Sequence, residues 1–160
     1  MAQQKDICVK TVIRILSTFF YLGYAPLMPG TIGSMGGLIF YFIVKDPPAL
    51  YFSCLAGLIL IEFFVVSEAE KIFGKADSAR IVIDEAAGMM TALLFIPQKT
   101  VFILTAFAAF RLFDITKPFP IKRLEKIASP WGVILDDIAA GLYANFTTQL
   151  VFILAVKMGA

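Results

Sequence analysis

A chain of 160 residues holds about one domain, and 59% hydrophobic against 16% charged residues, with a mean hydropathy of +0.85, is far more apolar than soluble composition and predicts an integral membrane protein. A net charge of +2 with no block of like charge excludes nucleic acid as a partner. Histidine is absent, so imidazole is excluded as nucleophile, general base or metal ligand, and any chemistry falls to carboxylates, amines, hydroxyls, thiols and bound metal.

The opening MAQQKDICVKTVIRILSTFF lacks a compact basic start followed by an apolar stretch and a small-residue cleavage site, so no removed signal peptide is expected. Cys8 and Cys54 are too few and too far apart for a disulfide framework or a zinc site and read as free thiols. Residues 11–23 set Arg14 among Val12, Ile13, Ile15, Leu16, Phe19 and Phe20, which predicts an amphipathic interfacial helix.

Five apolar runs follow, at 32–44, 49–66, 86–96, 100–110 and 138–156. Lys and Arg alternate across them: three before the first run, then one (Lys45), three (Lys71, Lys75, Arg80), one (Lys99), five (Arg111, Lys117, Lys122, Arg123, Lys126) and one (Lys157). The positive-inside rule reads this as five crossings with the N-terminus in the cytoplasm and the C-terminus outside. A crossing wants about 20 apolar residues, which some runs reach only with polar flanks, so thin or re-entrant helices are expected. Asp46-Pro47-Pro48 and Pro97-Gln98 make tight outer turns. The expected fold is all-α, one membrane-embedded domain over 1–160: a polytopic helical bundle of about five short transmembrane or re-entrant helices plus the N-terminal interfacial helix.

The stretch IVIDEAAGMM (81–90) places Asp84 and Glu85 at the basic end of the third run, and LDDIAAGL (135–142) repeats the design with Asp136 and Asp137 opening the fifth. An acid in the first turn of a helix can be a cap favoured by the macrodipole. One acid suffices for that, whereas a second beside it is opposed by repulsion in a partly dehydrated place unless a cation is present. The doubled pairs therefore favour metal binding, and a site of carboxylate oxygens and water suits Mg²⁺. Gly88 and Gly141, four residues after Asp84 and Asp137, would let two helices approach closely, with Ala87 and Ala140 on the adjoining flank.

In RLFDITKPFPIKRLE (111–125), Arg111 and Asp114 stand three apart on the closing turn of a helix that Pro118 and Pro120 stop. Arg111 and Lys117 read as anion-holding groups, and Lys122, Arg123 and Lys126 as snorkelling inner-leaflet anchors. PGTIGSMGG (29–37) offers the Thr31 and Ser34 hydroxyls and free backbone N–H groups at a helix start, which could receive a phosphate; a glycine-rich packing turn is the plainer reading, and the P-loop spacing is missing. Glu62 could reach either the interface or the site, and the polar residues of 68–80 read as a solvated cytoplasmic loop.

GTIGS, IDEAAGM, FRLFDITKPFPI and LDDIAAG, in that order over almost the whole chain, resemble the phosphatidylglycerophosphatase A family. The resemblance implies a Mg²⁺-dependent phosphomonoesterase of the bacterial inner membrane that acts on phosphatidylglycerol phosphate. The family's polar positions fall on Thr31, Ser34, Asp84, Glu85, Arg111, Asp114, Lys117, Asp136 and Asp137.

In the mechanism expected here Asp84, Glu85, Asp136 and Asp137 hold one or two Mg²⁺ ions at the cytoplasmic interface, where the bilayer delivers the phospholipid substrate sideways. Arg111 and Lys117 neutralise the phosphoryl group in flight, Asp114 orients Arg111, completes the metal shell or acts as general base, and Thr31 and Ser34 cradle the phosphate. The alternative class is a transporter or ion-binding protein that uses the intramembrane carboxylates.

Overall fold

The structure is a computed structural model and describes residues 2–159, all of whose regular elements are helical. These are α1 (Ala2–Ser17), a short 3-10 turn (Leu22–Tyr24), α2 (Pro29–Val44), α3 (Pro48–Phe73), α4 (Ile83–Ala92), α5 (Thr100–Thr116), α6 (Ile121–Leu124) and α7 (Trp131–Lys157). Each of the five apolar runs falls on its own helix, α2, α3, α4, α5 or α7, except that the third continues past the end of α4 at Ala92 into the following turn.

Three local expectations change. The first helix ends at Ser17, not at residue 23: the Thr18 hydroxyl donates to the Arg14 carbonyl at 2.6 Å and accepts the Tyr21 N–H at 3.0 Å, which diverts the chain into a turn. Residues 68–73 are not loop but the last turns of α3, since nothing breaks the helix before Gly74, whose φ of 68° supplies the left-handed stop. Asp136 and Asp137 do not open their helix either. It starts at Trp131, so the pair lies in its second turn, where it cannot cap.

At the centre is α4, ten residues long and buried at every position but Glu85, which is half-buried. It packs most extensively against α7 and α2 and also touches α3 and α5. A helix of this length rises about 15 Å, too little to cross a bilayer. Two of the described helices, α3 and α7, are long and apolar enough to do so. Their outward faces carry exposed Leu60, Phe64, Phe146, Leu150 and Leu154, and α2 and α5 add Ile39, Ile43, Val101 and Leu104. So much exposed apolar surface suits association with a membrane.

Helix direction separates the two ends of the bundle. Lys45, after α2, pairs with Asp46 at 2.5 Å and donates to the Gln98 side chain at 2.9 Å, so the two turns expected on one side do meet. The start of α2, the start of α4 and the end of α5 therefore gather at the opposite end.

Candidate functional site

The two Ala-Ala-Gly segments bring the acids together. A Cβ on Gly141 would lie 2.4 Å from the Gly88 carbonyl oxygen, and one on Gly88 would lie 2.8 Å from that of Asp137. Only glycine allows α4 and α7 to touch backbone to backbone here, as expected for these positions. Gly141→Ala is expected to destabilise the fold by about 1–3 kcal/mol, because backbone cannot step aside for the methyl group. A lower melting temperature in detergent would be the sign of it, and an unchanged one would contradict this packing.

That contact sets Asp84, Glu85 and Asp137 side by side, with one carboxylate oxygen from each within 4.8 Å of the others. Asp84 and Asp137 are buried. Among the described residues no ion pair reaches any of the three. The nearby cations are engaged elsewhere: Arg111 Nη1 pairs with Asp114 at 2.6 Å, and Lys117 Nζ pairs with Asp136 at 2.5 Å and with Glu125 at 3.1 Å. Asp136 thus stands beside Lys117 rather than within the group of three. One of its oxygens also accepts the Asp137 N–H at 3.0 Å, as Asp84 accepts that of Glu85 at 3.0 Å.

The third wall is the N-terminus of α2. A Cβ on Gly30 would meet Glu85 Oε1 at 2.4 Å and Arg111 Nη2 at 3.2 Å, so this glycine is needed for space rather than for backbone freedom. Ser34 donates to the Gly30 carbonyl at 2.8 Å and accepts from Arg111 Nη1 at 3.2 Å. Thr31 occupies the same first turn as Gly30. Three buried atoms at this junction have no hydrogen-bond partner: Thr31 Oγ1, Glu85 Oε2 and Arg111 Nε. Buried polar atoms are seldom left so, and a bound ligand would supply the partners these lack.

Burial opposes the charge on Lys117, but its bonds to Asp136 and Glu125 outweigh that and hold the ammonium protonated. Three hard oxygen ligands, crowded, dehydrated and lacking a cationic partner, fit a divalent ion.

Added Mg²⁺ is expected to raise the melting temperature of the purified chain above its value in chelator, since an ion that binds only the folded chain stabilises it. Equal melting temperatures with and without Mg²⁺ would contradict the cation fit.

All nine residues expected at the site lie at this end of the bundle. Sequence reasoning missed Glu125 as a second partner of Lys117, since an eight-residue separation across two prolines has no helical periodicity to reveal it. It left Glu62 open, and the structure buries it completely. Cys8 and Arg14 stand at the Cys-x5-Arg spacing of cysteine phosphatases, but α1 runs unbroken through both and forms no phosphate-binding loop.

Comparison with known proteins gives a concordant result. The family model described as phosphatidylglycerophosphatase A matches residues 15–152. The chain is 34% identical over 144 residues to a phosphatidylglycerophosphatase A of Haemophilus influenzae, covering 88% of each chain. It is 30% identical over 132 residues to the Escherichia coli protein of that name, covering 81% of this chain and 77% of the relative. A putative phosphatidylinositol-3-phosphatase of Bacteroides thetaiotaomicron is 32% identical over 140 residues, covering 81% of this chain and 87% of the relative. No solved structure matches.

Proposed function

This chain belongs to the phosphatidylglycerophosphatase A family and is a phosphatase, and from that premise we propose that it hydrolyses phosphatidylglycerol phosphate to phosphatidylglycerol and inorganic phosphate. We place the reaction at the cytoplasmic face of a bacterial inner membrane, with Mg²⁺ as the cofactor. The observation that carries this reading is the group of three carboxylates without a cation, flanked by two basic side chains and a helix N-terminus.

Asp84, Glu85 and Asp137 would hold the ion, with Asp136 beside them on the Lys117 side. A divalent cation there supplies positive charge for phosphate oxygens and acidifies water. Arg111, turned by Asp114 and Ser34, offers the rest of its fork to the phosphoryl oxygens as their charge grows. Lys117 keeps its charge on Asp136 and Glu125 and has a third N–H to give. The first turn of α2, with the Thr31 hydroxyl and unpaired N–H groups, receives the phosphate from the opposite side.

In this reading α3 and α7 cross the bilayer, while α2, α4 and α5 are the shorter transmembrane or re-entrant members of a five-helix set. The bundle then holds the site at headgroup depth. A diacyl substrate enters it without leaving the membrane.

Substrate choice is tested with the purified chain in mixed micelles, offering phosphatidylglycerol phosphate and a phosphatidylinositol 3-phosphate separately. A higher kcat/KM for the first is expected. A reversed preference would replace this substrate by the one named for the Bacteroides relative.

A further inference from the structure

Asn145 is an amide midway along α7, a helix apolar enough to cross a membrane, and both of its polar atoms are engaged. Its Nδ2 donates to the Ala92 carbonyl at 3.1 Å and to the Leu94 carbonyl at 2.6 Å, and its Oδ1 accepts from Gln149 Nε2 at 2.6 Å. The last carbonyls of a helix have no partner within it, and α4 ends inside the bundle, where Ala92 and Leu93 are buried. Tyr51 donates its hydroxyl to the Met90 carbonyl, and turn N–H groups reach Met90, Thr91 and Leu93 at 3.0, 3.3 and 3.3 Å. Among the described residues no backbone N–H reaches the carbonyls of Ala92 and Leu94, and these are the two that Asn145 satisfies.

The bond is one rung of a ladder. Helices α4 and α7 run in the same direction and meet at Asp84 with Asp137, at Gly88 with Gly141 and at Ala92 with Asn145, each pair 53 residues apart. Along α7 these three follow at steps of four, so they share a face, and Asn145 lies about 12 Å beyond Asp137. Glycine contacts let two helices come close but carry no directional bond. A single buried amide does, and one asparagine is enough to set the register of a coiled coil. Register matters here because a slip of one residue would swing Asp137 by about 100° away from Asp84 and Glu85.

We propose that Asn145 is a positioning residue for the cation site: its bonds to the end of α4 fix the register of α4 on α7 and so keep Asp84 and Glu85 beside Asp137. The inference rests on the proposed cation site and deepens it. Asn145 touches neither ion nor substrate and acts through α4. Gln149 supports it, since its bond to Oδ1 holds the amide with Nδ2 toward the two carbonyls. A leucine at 145 would fill a similar space and leave both carbonyls without a donor.

The test reads ion affinity rather than turnover. The full chain is purified in detergent, Mn²⁺ affinity is measured from the electron paramagnetic resonance signal of free Mn²⁺, and the melting temperature is taken in chelator. Asn145→Leu is expected to bind Mn²⁺ about 10-fold more weakly, the lower end of what losing a group that orients metal ligands costs. Gln149→Leu should shift affinity the same way by less. In chelator, amide hydrogen exchange at residues 93–96 should be faster in Asn145→Leu, because the end of α4 has lost its tie to α7. Leu55→Ala, which opens a cavity in the core on α3, controls for stability alone: it should melt lower with Mn²⁺ affinity unchanged. Wild-type Mn²⁺ affinity in both Asn145→Leu and Gln149→Leu, or an equal loss in Leu55→Ala, would overturn the positioning role and leave the cation site in place. Should Asn145→Leu fail to fold, Gln149→Leu decides by itself. No Mn²⁺ on wild type would overturn the cation site and this role with it.

Discussion

Asp84→Asn and Asp137→Asn are each expected to lower phosphate release by about 10²–10³-fold, since a cation stabilises transition-state charge by several kcal/mol and each 1.4 kcal/mol or so is a factor of ten. Asparagine matches the shape of aspartate but is neutral and a poorer ligand for a hard cation. The accompanying stability should move the other way. In chelator both variants should melt no lower than wild type, because one of three crowded buried carboxylates has been made neutral. Activity lost with apo stability kept separates a ligand from a structural acid. Substantial turnover in both variants, or collapse of the fold in chelator, would contradict the role assigned to these residues.

Arg111→Lys is expected to lower kcat by about 10²–10³-fold, the usual loss when a group that stabilises transition-state charge is removed. Net charge is preserved in this substitution, so the effect is one of geometry. Arg111 reaches Asp114 and Ser34 through one guanidinium nitrogen, with Nη2 toward Gly30 and Glu85, and a lysine ammonium cannot hold those partners and still present a fork to phosphate. Mn²⁺ binding should remain as in wild type, because Arg111 ligates no ion. Near wild-type kcat in Arg111→Lys would show that a point charge is enough and that the fork has no part in the reaction.

Much of this site was legible in the sequence because its parts are local. Asp84-Glu85 and Asp136-Asp137 are adjacent pairs, Gly88 and Gly141 follow at one helical turn, and Arg111 and Asp114 share a helix face, so each element announces its contribution through short spacings. The closeness of α4 to α7 followed from the small residues, and the geometry at Gly88 and Gly141 agrees. What spacing could not reveal is how long-range packing divides the acids. Asp136 is drawn to Lys117 across a loop, and Glu85 and Arg111 both lie against Gly30 at the start of α2.

Helix boundaries were less legible, for a related reason. Apolar runs trace the surface that needs covering, whereas helices stop at turn chemistry. Thr18 ends α1 with its hydroxyl, Gly74 ends α3 beyond a polar stretch that nonetheless stays helical, and α7 begins five residues before its acids at Trp131. Glu62 shows the same limit from another side. An isolated acid in an apolar run has no spacing partner in sequence, and only the packing of α3 against its neighbours shows that it is buried.

The central claim is that this end of the bundle is a cation-dependent phosphomonoesterase site, and the most direct test is release of inorganic phosphate from phosphatidylglycerol phosphate by the purified chain in detergent, measured with Mg²⁺ and then with excess chelator. Release that requires Mg²⁺, stops on chelation and returns when Mg²⁺ is restored is the predicted result. Equal release with and without chelator, or none in either condition from protein shown by circular dichroism to be folded, would contradict it.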